Sequence, residues 1–100
     1  MELRHLRYFI AVAEEENVSR AALKLHVSQP ALSRQIRDLE DELGFSLLER
    51  GARSMRLTEA GRTFLIEARA VLQRTEQGVK AARAAATGRH RKFMSGMRPR

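Results

Sequence analysis

Residues 18–44 read VSRAALKLHVSQPALSRQIRDLEDELG, and one helix-start signal occurs in this stretch twice. Val27 and Leu32 bracket Ser28 at the spacing of a hydrophobic staple around an N-cap. Pro30 falls in the first turn of the helix so defined, where its missing N–H breaks no bond. Leu32, Ile36, Leu39 and Leu43 then recur at steps of three and four, the apolar stripe of a helix, and Gly44 supplies a left-handed stop. Nine residues earlier, Val18 and Leu23 bracket Ser19 in the same way, which predicts a shorter helix over about 19–26 with Ser19 as its N-cap. Ala21, Ala22 and Leu25 give that helix a small, closely packing face. Two helices joined by so tight a turn make a helix-turn-helix pair.

The flanks extend this unit. Upstream, Leu6, Phe9, Ile10 and Ala13 share one face of a helix running from about Leu3 to Glu16. Downstream, the helical period is lost in FSLLERGARSMRL, residues 45–57. This segment reads as a β-hairpin with strands over about 46–50 and 54–57 and a turn at Gly51–Ala52; a plain loop is the alternative. Thr58 then caps a long helix, with Glu59 favourably placed against its dipole. This helix runs to about Thr87, a length of roughly 45 Å, with Gly61 and Gly78 as weak points. Leu65, Ala68, Leu72, Thr75, Val79, Ala82 and Ala86 alternate steps of three and four, a heptad seam. Such a seam is met most simply by a second copy of the same helix, or else by the chain's own helices.

The fold expected is mainly α. A winged helix-turn-helix, three helices and a two-stranded wing, spans residues 1–57. A linker or dimerisation helix spans 58–87, and a basic disordered tail spans 88–100.

A chain of 100 residues has room for one such domain and little room for a deep substrate pocket. It contains no cysteine, which excludes disulfides and thiolate metal sites and fits a reducing cytosol. No apolar run approaches a membrane span, and the charged opening MELRHLRYF lacks a signal peptide's apolar core. A cytoplasmic protein without membrane association is expected. The net charge is +7, but Arg89, Arg91, Lys92, Arg98 and Arg100 lie beyond Gly88, where there is no acid, and residues 1–88 carry only +2. Where the charges sit on the helices is therefore more informative than their sum.

On a helical wheel with Leu32 at zero, the apolar stripe of the third helix spans about −20° to 40°. Pro30, Ser33, Arg34 and Arg37 point between about 100° and 200°, on the opposite face, with Gln29 and Gln35 beside them. These side chains match the pairings that read base edges in a major groove: arginine to guanine, glutamine to adenine, serine to either. Asp38, Glu40, Asp41 and Glu42 all fall in the second half, the end that phosphates would repel. The positive end of the helix dipole lies at the other, basic end. The hairpin adds Arg50, Arg53 and Arg56. Arg53, nearest the tip, suits a narrow minor groove, whereas Arg50 and Arg56 suit phosphates or pairing with acids. Candidate DNA-binding residues are thus Ser28, Gln29, Pro30, Ser33, Arg34 and Arg37 in the helix, and Arg50, Arg53 and Arg56 in the wing.

The competing reading is a helical protein-interaction module whose basic residues serve solubility and bind DNA without sequence preference. Enzyme chemistry finds no footing. His5, His26 and His90 are scattered, Glu14, Glu15 and Glu16 diverge around a helix, and no phosphate-cradling glycine loop occurs. No metal site is expected.

The run LRYFIAVAEEENVSRAALKLHVSQPALSRQIRDLEDELGFSLLER, followed by RLTEAGRTFL, resembles the N-terminal domain of LysR-type transcriptional regulators over about residues 1–87. The matching motifs are AA at 21–22, SQPALSRQI at 28–36, LE at 39–40, LG at 43–44 and LTEAG at 57–61. The opening MELRHLRYFIAVAEE looks most like members that control aromatic-compound catabolism. The resemblance implies dimers, often tetramers, on promoter DNA with interrupted inverted repeats, held together by antiparallel linker helices. It implies that Gln29, Pro30, Ser33 and Arg34 face the groove and that Arg53 is the wing arginine. It also implies a small-molecule inducer, bound by an α/β effector domain of periplasmic-binding-protein type. Residues 88–100 do not resemble the opening strand of that domain, so the expectation is a DNA-binding fragment with no cofactor of its own.

Overall fold

The computed structural model describes residues 1–50 and 55–94, the last six of these as backbone only. The order is α1 (Leu3–Glu15), α2 (Val18–Leu25), α3 (Gln29–Leu43), β1 (Leu48–Glu49), β2 (Arg56–Leu57) and α4 (Glu59–Met94). This is the winged helix-turn-helix plus long helix expected.

Helices α1, α2 and α3 close on one core. Phe9, Val12, Ala21, Leu32, Ile36, Leu39 and Leu47 are essentially removed from solvent, each large side chain contributing roughly 1.5–3 kcal/mol. In α1 the buried positions are Leu6, Phe9, Ala11 and Val12, and Ile10 and Ala13 are only half-buried. The buried face is turned from the expected one because α1 has neighbours on two sides, the α2–α3 pair and α4.

The tight turn is built by His26, Val27 and Ser28. His26 adopts the left-handed conformation, φ 60° and ψ 42°, and the Val27 amide donates to the Ala22 carbonyl at 3.0 Å. Ser28 caps α3 as its spacing predicts, its Oγ accepting from the Ala31 amide at 3.2 Å. Gly44 ends α3 with φ 87°. At α2 the expectation fails. Asn17 is the N-cap, its Oδ1 accepting from the Arg20 amide at 2.8 Å, and Leu23, the intended staple partner, is 77% exposed.

The hairpin forms, with Leu48 opposite Leu57 and Glu49 opposite Arg56 in antiparallel register. It is shorter than predicted for a physical reason. The polar backbone groups leading into β1 are already engaged: the Leu47 amide by the Glu40 carboxylate, and the Ser46 and Leu47 carbonyls by Thr58. The predicted turn at Gly51–Ala52, and Arg53 with it, lie outside the described residues.

Thr58 caps α4, its Oγ1 accepting from the Gly61 amide at 2.9 Å. Gly61 is buried against the hairpin: a Cβ there would clash with the backbone carbonyl of Leu47. The helix does not stop near Thr87 but continues through Gly88 to Met94. One glycine costs about 1 kcal/mol in a helix, too little to end one flanked by good helix formers. The beginning of the stretch read as a disordered tail is therefore helical, and residues 95–100 lie outside the described residues. The molecule is elongated along α4, 64 × 25 × 19 Å.

The heptad seam divides. Ala68 is 1% exposed, and Phe64 and Leu65 pack on the core, with the Phe9 and Phe64 rings 5.7 Å apart. Leu65 and Ala68 thus serve the chain's own domain, the alternative left open above. Leu72 and Thr75 are half-buried, and Val79, Ala82 and Ala86 are exposed.

Candidate nucleic-acid interface

The first turns of α3 form an exposed edge of the domain. Gln29, Pro30, Arg34 and Arg37 are exposed and Ser33 is half-buried, so the wheel reading of this helix holds. Pro30, Ala31, Arg34 and Gln35 line a shallow hollow on this edge. No acid lies in the first turn, and neither Arg34 nor Arg37 enters an ion pair among the described residues. Cationic side chains and the positive helix terminus therefore add on one face.

Ser28 and Gln29 are held in place. Ser28 is used as a cap, leaving its carbonyl to accept from the Leu32 amide at 3.0 Å. Gln29 accepts at Oε1 from the hydroxyl of Ser19 on α2, at 2.8 Å. Ser19 was expected to cap its own helix; with Asn17 in that role, its hydroxyl is free to reach across the turn.

The acidic half of α3 is heterogeneous. Asp38, Asp41 and Glu42 are exposed, and the Glu42 carboxylate pairs with the terminal amine of Met1 at 2.6 Å. Glu40 is buried, and it is the residue that charge alone misread. Its Oε2 accepts from the Leu47 and Leu48 amides at 2.7 and 3.1 Å, and its Oε1 from Arg50 Nη2 at 2.7 Å. Burial on its own would raise the carboxyl pKa. The Arg50 and amide hydrogen bonds, with the Arg50 charge, outweigh it and hold the carboxyl below its ordinary value. A signal was available: Glu40 sits at about 80° on the wheel, next to Ile36 at the edge of the apolar stripe.

The wing arginines separate accordingly. Arg50, with its side chain 39% exposed, pairs with the buried Glu40, one of the two roles its position allowed. Arg56 is exposed on β2 opposite Glu49. Arg53 lies outside the described residues. Among the described residues no cluster of His, Asp or Glu could hold a metal ion, and no helix is long and apolar enough to cross a membrane.

Three packed helices, the third presenting a basic, exposed N-terminal half beside a two-stranded wing, define a winged helix-turn-helix DNA-binding domain. Comparison with known proteins gives the family. The family profile described as "Bacterial regulatory helix-turn-helix protein, lysR family" matches residues 3–62. The HTH-type transcriptional regulator ClcR of Pseudomonas putida is 54% identical over 88 residues, 88% of this chain and 30% of that protein. The Hca operon transcriptional activator HcaR of Escherichia coli (strain K12) is 57% identical over 83 residues, 83% of this chain and 28% of that protein. The crystal structure of the BenM_DBD/benA site 1 DNA complex matches with a TM-score of 0.86 at 50% identity, covering 88% of this chain and 99% of that one. The chain belongs to the LysR family of bacterial regulatory helix-turn-helix proteins, and it carries the family's DNA-binding domain, a domain of transcription regulators and not of enzymes. It spans about 30% of the length of the curated relatives it matches.

Proposed function

We propose that this chain binds promoter DNA sequence-specifically as a homodimer, at interrupted inverted repeats, with α3 in the major groove and the wing in the minor groove. The observation that carries the reading is the polarity of α3. Gln29, Pro30, Ser33, Arg34 and Arg37 share the outer face of its first half, while its acids are buried or displaced to the other end. A neighbour of half-identical sequence solved as a DNA complex supports DNA as the partner. In this reading Arg34 pairs with a guanine edge, Ser33 and Gln29 read adjacent bases, and Pro30 offers apolar contact to a thymine methyl. The far end of α4, from Leu72 to Ala86, meets a second copy and sets the spacing of the two reading helices. The site of action is the bacterial cytoplasm. Small-molecule control belongs to the family's effector domain, and no cofactor is assigned to this one.

The test is fluorescence anisotropy at near-physiological salt, comparing the promoter upstream of the neighbouring genes with a scrambled duplex of equal length. A preference of about a thousandfold is expected. Equal, steeply salt-sensitive binding to both would replace this reading with a module that supplies charge alone.

A further inference from the structure

We propose that Ser19 is a specificity-determining positioning residue, which fixes the placement of the amide that Gln29 presents to the bases. The inference rests on the placement of α3 in the major groove. An unrestrained glutamine side chain moves among several staggered rotamers. A base edge is read only by donors and acceptors held within hydrogen-bond reach of it, so an amide held in one rotamer discriminates better than one that samples several. Here the Ser19 hydroxyl donates to Gln29 Oε1 at 2.8 Å. The side chain is thereby held against the start of α2.

Three features free Ser19 for this task. Asn17 already caps α2, accepting from the Arg20 amide, so the hydroxyl is not spent on its own helix. Ser19 is exposed, so the bond is no part of the core. Gln29 is the first residue of α3, held at its root by the Ser28 cap, so its backbone does not compensate for a displaced amide. The two helices of the motif are thereby joined by one side-chain bond, placed at the end expected to enter the groove.

The experiment measures the relative affinity of the 100-residue chain for operator duplexes changed at each base pair of one half-site. Gln29→Ala first identifies the pair that Gln29 reads, as the one position where preference relaxes. At that pair Ser19→Ala is expected to cut discrimination by about tenfold, leaving the other positions and the melting temperature unchanged. Ser19→Thr, which keeps the hydroxyl, retains the wild-type pattern. An unchanged pattern in Ser19→Ala overturns the inference, as does an equal loss on every sequence with a shallower salt dependence, the mark of a phosphate contact. If Gln29→Ala relaxes no position while the operator is still preferred, the inference falls and the function above stands. If wild type itself fails to prefer the operator, both fall.

Discussion

Glu40 holds Arg50 at 2.7 Å through one carboxylate oxygen while its other oxygen receives the Leu47 and Leu48 amides. This one side chain ties the inner edge of α3 to the first strand of the wing. The two elements proposed to enter adjacent grooves are therefore fixed to each other and not merely tethered to a common core. The arrangement also explains an acid in a helix proposed to face phosphates: its charge is consumed inside the domain.

Removing that carboxylate strands two amides and a guanidinium, and Glu40→Ala is expected to cost about 2–4 kcal/mol of stability. The pH dependence carries the sign of a depressed carboxyl. Because the folded pKa lies below the ordinary 4.5, the stabilisation is fully present above that value and is lost as pH falls through the folded pKa. Urea unfolding of wild type and Glu40→Gln between pH 7 and pH 3 should show the widest gap at neutral pH, closing toward the acid end. Parallel curves over the whole range would mean that the charge of Glu40 contributes nothing.

Arg50 and Arg56 each lie three residues from Arg53 in the sequence, yet their surroundings differ. Arg56 is exposed, whereas Arg50 is taken up by Glu40. Each phosphate contact contributes about 0.9 to the slope of log affinity against log salt. Arg56→Ala should lower that slope by about this amount. Arg50→Ala should leave the slope alone and lower the melting temperature instead. A lowered slope in Arg50→Ala would show that Arg50 leaves Glu40 for a phosphate when DNA binds.

Two glycines of α4 make a matched pair. A methyl at Gly61 would clash with the backbone carbonyl of Leu47, whereas nothing lies within 4 Å of a methyl at Gly78. Gly61→Ala should therefore destabilise by about 2 kcal/mol or more, through displacement of the hairpin. Gly78→Ala should stabilise by about 0.5–1 kcal/mol, through helix propensity alone. Thermal unfolding of the two variants decides it, and shifts of the same sign would remove the argument for close packing at Gly61.

The helix-turn-helix was legible because its signals are local, and its errors show where locality ends. VSRAAL at 18–23 and VSQPAL at 27–32 carry the same staple-and-cap pattern. Ser28 caps as read, since Leu32 continues into a stripe that fills the core. Ser19 does not, because Asn17 stands upstream as a better-placed acceptor and Leu23 has no apolar neighbour to meet. Glu40 was misjudged by its charge: its partners at Leu47, Leu48 and Arg50 come together only when the chain turns back after Gly44. The exposed side chains at the start of α3 needed no tertiary knowledge, being defined by opposition to the stripe. The end of α4 was placed too early by giving one glycine the weight of a terminator.

The divided seam of α4 predicts which substitution separates association from folding. Ala68 lies in the domain's own core, so a charge there unfolds the domain and says nothing about dimers. Leu72 is half-buried and mixes the two effects. Val79 is 47% exposed in the single chain, on the same helical face, and is therefore open to a second copy. Val79→Asp would place an unpaired charge in the seam of each copy. Its melting temperature extrapolated to high dilution should match wild type, while the dimer dissociation constant measured by sedimentation should rise by about a hundredfold or more. DNA affinity should then fall toward that of a single half-site. A Val79→Asp chain that still sediments as a dimer would exclude the C-terminal half of α4 as the interface.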